Sequence, residues 1–168
     1  MFRMFRRHHR WTMRHGFALL FSFLGAGYGL SLLSPGLASA DPAVEDLKSV
    51  ALSDVALNQR LAALEALKEV GSTSALDALE AIAGKGDLPV ATAACAQLGR
   101  AQTSASKGRL KALLEDSGLA VEVRIAAASC IAEHWKDSGD LSYLESKCDS
   151  DEDLKAHAAV LKSRVYKQ

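Results

Sequence analysis

The sequence predicts an all-α protein in which about three and a half helical hairpins, roughly eight helices, stack into an α-solenoid. Residues 41–168 are rich in Ala and Leu and contain few Pro. They show no alternation of β-branched residues that would indicate strands. Apolar and small residues also recur in them at a spacing of about thirty residues, which is typical of repeated helical units.

The first forty residues have the composition of an export signal. They carry five Arg and no acidic residue, and Phe17 to Leu33 is uncharged and mostly apolar. Ser34-Pro-Gly then breaks a helix, and Ala38-Ser-Ala40 offers small residues where a signal peptidase cleaves. We therefore expect a signal peptide over residues 1–40, cleaved near Ala40. Retention as an uncleaved membrane anchor is the alternative, although a span needs about 20 apolar residues.

The expected mature domain, residues 41–168, is acidic. It contains 15 basic and 20 acidic residues, a net charge of −5, and its only aromatic residues are Trp135, Tyr143 and Tyr166. This balance disfavours a nucleic-acid partner. The bacterial style of the signal predicts a periplasmic or secreted protein with no membrane contact after cleavage.

Four segments of the mature domain begin alike. They start at Leu57, Leu88, Val121 and Leu154, which lie 31, 33 and 33 residues apart. Apolar residues at offsets of 0, 4, 7 and about 11 share one face of a helix, so we expect these columns to form the core. Every segment has Ala at offset five, which predicts close approach of a neighbouring helix. These alanines are Ala62, Ala93, Ala126 and Ala159.

The remaining elements follow from turns and shorter apolar patterns. A leading helix is predicted over Pro42–Leu52, because Pro is tolerated in a first helical turn. Polar or Gly-containing turns end the repeated helices at residues 71–73, 99–104 and 136–139, and Gly99 is expected to use its tolerance of left-handed geometry there. A second helix follows each turn, marked by Leu76/Leu79/Ile82, Leu110/Leu113/Leu114 and Leu141/Leu144.

Two stretches carry a family resemblance. Residues 116–127 and 149–159 each combine an acidic loop with a Val-Arg or similar pair and adjacent Ala residues. Over residues 57–168 the chain resembles the HEAT-like repeats, armadillo-like helical structures, especially the short bacterial phycobilisome-lyase type. It departs from that pattern at Ala91, which stands where Arg60 and Arg124 stand, and at Thr92. The resemblance implies a scaffold or adaptor that binds proteins.

Four residues are candidates for binding a partner: Trp135, Tyr143, Arg109 and Lys111. Trp135 lies off the shared core columns, and Trp is enriched among interface anchors. Alternatively, Trp135 and Tyr143 pack over the last unit as a lid. Arg109 and Lys111 belong to a mixed charge field with Lys107, Asp77 and Glu80, which suits a protein or peptide partner.

The three cysteines suggest structure rather than chemistry. Cys95 falls in a core column, where it acts as a small apolar residue. Cys130 and Cys148 lie on the two helices of one unit and could form a disulfide in an oxidising compartment, or remain thiols. There is no C-x-x-C motif, so the sequence supports neither a thiol oxidoreductase nor a zinc site.

No pattern in the mature domain supports catalysis. No third metal ligand is expected near His134 and His157. The acidic run at 149–153 lacks the Gly and Glu that a calcium loop needs, so helix capping explains that run better. We therefore expect no catalytic residue, metal or cofactor, and a non-enzymatic adaptor. The alternatives are an accessory factor in protein modification, as in the tetrapyrrole lyases that share the repeat type, or an anchored envelope protein with outward-facing repeats.

Overall fold

The computed structural model describes residues 41–155 and residue 157; the predicted signal segment lies outside them. Within these residues every regular element is a helix, which confirms the all-α prediction. The helices are α1 Pro42–Leu52, α2 Leu57–Val70, α3 Thr73–Lys85, α4 Leu88–Ala101, α5 Ser104–Glu115, α6 Val121–His134 and α7 Ser138–Ser150. An eighth helix, α8, begins at Glu152.

The helices form two layers. In one layer α1 contacts α3 and α3 contacts α5, while in the other α2 contacts α4 and α4 contacts α6. Consecutive helices also pack on each other across the layers. Each helical hairpin is therefore flanked by its neighbours in sequence, which is the arrangement of an α-solenoid.

Local chemistry explains where the helices begin and end. Asp41, Ser72, Asp87, Thr103 and Asp137 each accept a hydrogen bond from a backbone N–H of the first helical turn. Such caps satisfy N–H groups that have no partner within the helix.

Among the helices whose ends the structure describes, two end on a left-handed residue. These residues are Gly71, with φ 62°, and Gln102, with φ 49°. The left-handed role expected of Gly99 therefore falls to Gln102, three residues later, and that prediction was wrong.

Gly99 instead lies buried inside α4, facing α6. A Cβ atom built on it would lie 2.8 Å from Cδ2 of His134 and 3.1 Å from Cβ of Cys130. The missing side chain therefore lets α4 and α6 approach each other closely.

The buried face of the repeated helices overlaps the predicted face only in part. The residues at offsets 6, 7 and 10 are buried in all three repeated helices: Ala63, Leu64, Leu67, Ala94, Cys95, Leu98, Ala127, Ala128 and Ile131. Offset 7 agrees with the prediction, and the column predicted at about offset 11 falls at offset 10. Offsets 0 and 4 do not, because Leu57, Leu61 and Leu88 are 46%, 37% and 44% exposed.

The alanine column at offset five is also displaced from the core. Ala62 is exposed, and Ala93 and Ala126 are only half-buried. The fully enclosed alanines are their neighbours at offset six. The apolar pattern on these helices is wider than the face that meets the other layer, so periodicity alone did not locate its buried centre.

The final unit is two residues out of the register that the sequence suggested. The N-caps Ala56, Asp87 and Ala120 each precede the predicted start of a unit by one residue. Asp151, which accepts from the backbone N–H of Leu154 and so caps α8, precedes the predicted start Leu154 by three. Leu154 therefore corresponds to Val90 and Val123, which are buried as it is. The predicted register places His157 in the column of Arg60 and Arg124, but in the structure Lys155 occupies that position.

Candidate functional site

Arg109, a predicted binding residue, faces a neighbouring unit of its own chain. Its Nε lies 3.0 Å from Oδ1 of Asp77 and 3.6 Å from Oε2 of Glu80, both on α3. Nη1 donates to the carbonyl of Ala105 at 3.0 Å. Only 14% of the Arg109 side chain is exposed, so the guanidinium joins α5 to α3 and offers little surface to a partner.

Lys111 is held by a buried carboxylate on α7. Oδ1 of Asp140 lies 2.7 Å from Nζ of Lys111, and Oδ2 lies 2.5 Å from Nζ of Lys107. Burial acts to raise the pKa of Asp140, but the hydrogen bonds from the two lysines outweigh it and lower the pKa to about 2. The three charges therefore connect α5 to α7 within the domain.

Tyr143 continues the same contact between α5 and α7. Its hydroxyl donates to Oε1 of Glu115 at 3.0 Å, and its ring centre lies 4.4 Å from Nζ of Lys111. Burial and the bond to Glu115 raise the pKa of Tyr143. Nζ of Lys147 also lies 2.7 Å from Oε1 of Glu115.

Trp135 lies half-buried just after α6 and packs against the core. The centre of its ring lies 5.9 Å from Nζ of Lys107. The His134 ring packs edge-on against it, with the two ring centres 6.1 Å apart. Trp135, Tyr143 and Lys111 thus share one cluster, whereas Arg109 pairs on the other side of α5. Binding of a partner by these four residues stays a prediction.

The cysteines are buried thiols in the structure. Among the described residues no disulfide joins Cys130 to Cys148. Burial raises the pKa of Cys95 to about 12 and that of Cys130 to about 11, so both stay protonated and unreactive near neutral pH. Cys95 fills the core column as predicted.

A repeated arginine contact was missed at the sequence level. Nε of Arg60 donates to the carbonyl of Ala51 at 3.0 Å, and its Nη atoms donate to Asp87 at 2.7 and 3.1 Å. Arg124 repeats this geometry: Nε donates to the carbonyl of Leu114 at 3.1 Å, and Nη2 donates to Asp151.

The middle unit lacks both partners of this contact. Ala91 replaces the arginine, and Ala120 replaces the aspartate at the next N-cap. The sequence does carry a signal for this contact, because the two positions vary together. The fourth residue of a repeated helix is Arg where the N-cap of the following repeated helix is Asp, and it is Ala where that N-cap is Ala.

An exposed apolar surface lies around the first of these arginines. We call it the Leu57 surface, and it comprises Leu52, Val55, Leu57, Leu61 and Leu88, each between 37% and 46% exposed. Arg60 contacts both Ala51 and Asp87, so it brings the end of α1 and the starts of α2 and α4 together at this place. Contiguous exposed apolar residues mark interaction sites more often than scattered ones do.

One small cavity, of about 150 Å³, lies near the start of α8. Its wall includes Arg124, Asp151, Glu115 and Lys147. Arg124 pairs with Asp151 and Lys147 pairs with Glu115, so these charges are already satisfied within the domain.

The part of the chain that the structure describes contains neither a metal-binding cluster nor a membrane-spanning helix. No cluster of three or more His, Cys, Asp or Glu side chains there could hold a metal ion. No helix in that part of the chain has the length and apolar character needed to cross a bilayer. Comparisons with protein-family models, with curated proteins and with solved structures found no match.

Proposed function

We propose that this protein is an exported scaffold or adaptor that binds another protein or a peptide through its helical repeats and catalyses no reaction. The observation that supports this most is the exposure of Leu57 and Leu88, which start two of the units, and of Leu61, one helical turn after Leu57. The resemblance to HEAT-like repeats points the same way, because stacked helical units present extended binding surfaces.

The proposed location is the periplasm or the outside of a bacterial cell. It is supported by the basic start, apolar middle and Ala38-Ser-Ala40 of the first forty residues. N-terminal sequencing of the protein recovered from the exported fraction should begin at Asp41. Recovery of the uncleaved chain from the membrane fraction would instead establish the anchored alternative.

The binding role is tested by affinity capture from an envelope extract, with bound proteins identified by mass spectrometry. We expect Leu57→Ser/Leu61→Ser to abolish recovery of a specific protein. Val70→Ser is the matched control, because Val70 is 44% exposed but lies at the other end of α2. Equal recovery with both variants would show that the Leu57 surface is not the binding site.

Trp135→Ala belongs in the same experiment, because it tests the predicted aromatic anchor separately. Charge reversal of Arg109 or Lys111 is less informative. Each of those side chains pairs with acids of an adjacent helix, so its loss would disturb the domain as well as any interface.

A further inference from the structure

We infer that the Leu57 surface binds a basic amphipathic helix of the partner protein, an inference that rests on the function proposed above. Two observations support this kind of ligand: the negative charge near the surface and the helical structure of the domain around it.

The net negative charge of the mature domain is concentrated in the part of the chain that carries this surface. Residues 41–88 contain nine acidic and four basic residues, a net of −5, whereas residues 89–168 contain eleven of each. All seven large apolar side chains that are exposed in the described part of the chain fall between residues 50 and 88. Arg109 pairs with two of the nine acids, Asp77 and Glu80, and counting it leaves nine acidic against five basic residues, a net of −4. The apolar surface and the excess negative charge therefore lie in the same first units.

Two carboxylates near the surface are available to a ligand. Asp54 lies between Leu52 and Val55 in the chain, and Glu65 follows Leu61 by one helical turn on α2. Both are exposed, and neither has an ion-pair or hydrogen-bond partner among the described residues. In the later units, Asp140, Glu115 and Asp151 already pair with bases of the same chain.

The secondary structure favours a helix over an extended peptide. One common way to bind an extended peptide is to add it as a strand to a sheet edge, and residues 41–155 contain no strand that could accept it. Leu57 and Leu61 are one turn apart on α2, a spacing that packs against apolar residues of another helix. Lys and Arg beside that apolar stripe would meet Asp54 and Glu65.

The test uses protein purified from cells that express the full chain. The probe is a dye-labelled synthetic helix of Leu and Lys in a heptad pattern, and the matched peptide carries Glu in place of every Lys. By fluorescence anisotropy we expect the Lys peptide to bind, its affinity to fall with added salt, and the Glu peptide not to bind.

Variants of the protein locate the binding. Leu57→Ser/Leu61→Ser and Asp54→Lys/Glu65→Lys should each weaken binding of the Lys peptide about tenfold or more. Val70→Ser and Glu122→Lys, which change an exposed apolar residue and an exposed acid elsewhere, should leave it unchanged. Circular dichroism checks that all four variants remain helical.

Three results would overturn the inference: equal binding of the two peptides, no binding of the Lys peptide, or equal loss in the surface and control variants. A concentration-dependent dimer that Leu57→Ser/Leu61→Ser dissociates in sedimentation would also overturn it, since a second copy would then cover the surface. Capture of a protein from envelope extract that depends on Leu57 and Leu61, without binding of the Lys peptide, would refute this inference alone and leave the proposed adaptor role standing.

Discussion

Arg60 joins two successive hairpins by donating to the carboxylate of Asp87, which itself caps α4. The carboxylate thus serves the helix terminus and the guanidinium together. Arg124 and Asp151 repeat the arrangement two units later. These arginine contacts hold the start of one repeated helix against the repeated helix that precedes it.

Removing the second arginine should destabilise the domain more than removing the first. Only 5% of the Arg124 side chain is exposed, against 13% for Arg60, and Asp151 is more enclosed than Asp87. We expect Arg124→Ala to lower the free energy of unfolding by about 2–4 kcal/mol and Arg60→Ala by about 1–2 kcal/mol. Urea denaturation measures both. Exposed Arg100→Ala is the control, and a loss there equal to that of Arg124→Ala would contradict the argument.

The arginine–aspartate contact that the middle unit lacks should form when both residues are introduced by mutation. Ala91→Arg alone should destabilise the domain, because it places an unpaired charge at a buried position. Ala120→Asp alone should be neutral or stabilising, because it adds an N-cap to α6. Combined, the two changes should show a favourable coupling of about 1 kcal/mol or more in a double-mutant cycle. Strict additivity would mean that the contact does not form in this unit.

Two glycines should respond oppositely to the same substitution. Gly99→Ala should cost about 1–3 kcal/mol, since the new methyl group would press on Cys130 and His134. Gly108→Ala should stabilise by about 0.4–1 kcal/mol, since nothing lies within 4 Å of its Cβ position and Ala favours the helix. Thermal and urea unfolding of the pair test this. A stabilising Gly99→Ala would show that α4 and α6 are less closely packed.

Asp140 should make stability sensitive to acid. Its pKa is lowered to about 2 in the folded domain, from an ordinary value of 3.8. Ionised Asp140 therefore contributes to the stability of the folded domain above pH 4, and this contribution is lost as the pH falls from about 4 to about 2. Asp140→Asn should be less stable than the wild type at pH 7, with a difference that shrinks over that range. A difference between Asp140→Asn and the wild type that stays constant from pH 7 to pH 2 would contradict this argument.

Several features of the fold could be predicted from local sequence. The bounds of α1 and the starts of α2, α4 and α6 agree with the predicted elements. Capping residues, Pro in the first turn and apolar periodicity act within a few residues of each other, so a single segment carries the information.

The binding candidates were harder to judge because charge pairing is not local. Lys107 meets Asp140 across 33 residues, and Arg109 meets Asp77 across 32. The sequence shows each side chain as a polar residue on a helix, without its partner. Trp135 and Tyr143 were likewise recognisable as unusual, but their contacts with lysines of α5 depend on how the hairpins stack.

The amino-acid order by itself therefore determined that the domain is helical, that its hairpins repeat and where four of the eight described helices begin. The tertiary structure alone decided which side of each helix is enclosed, which alanine lies at the closest contact and which leucines remain outside. The physical reason is that a helix forms through hydrogen bonds four residues apart, whereas burial depends on neighbouring helices some thirty residues away in the chain.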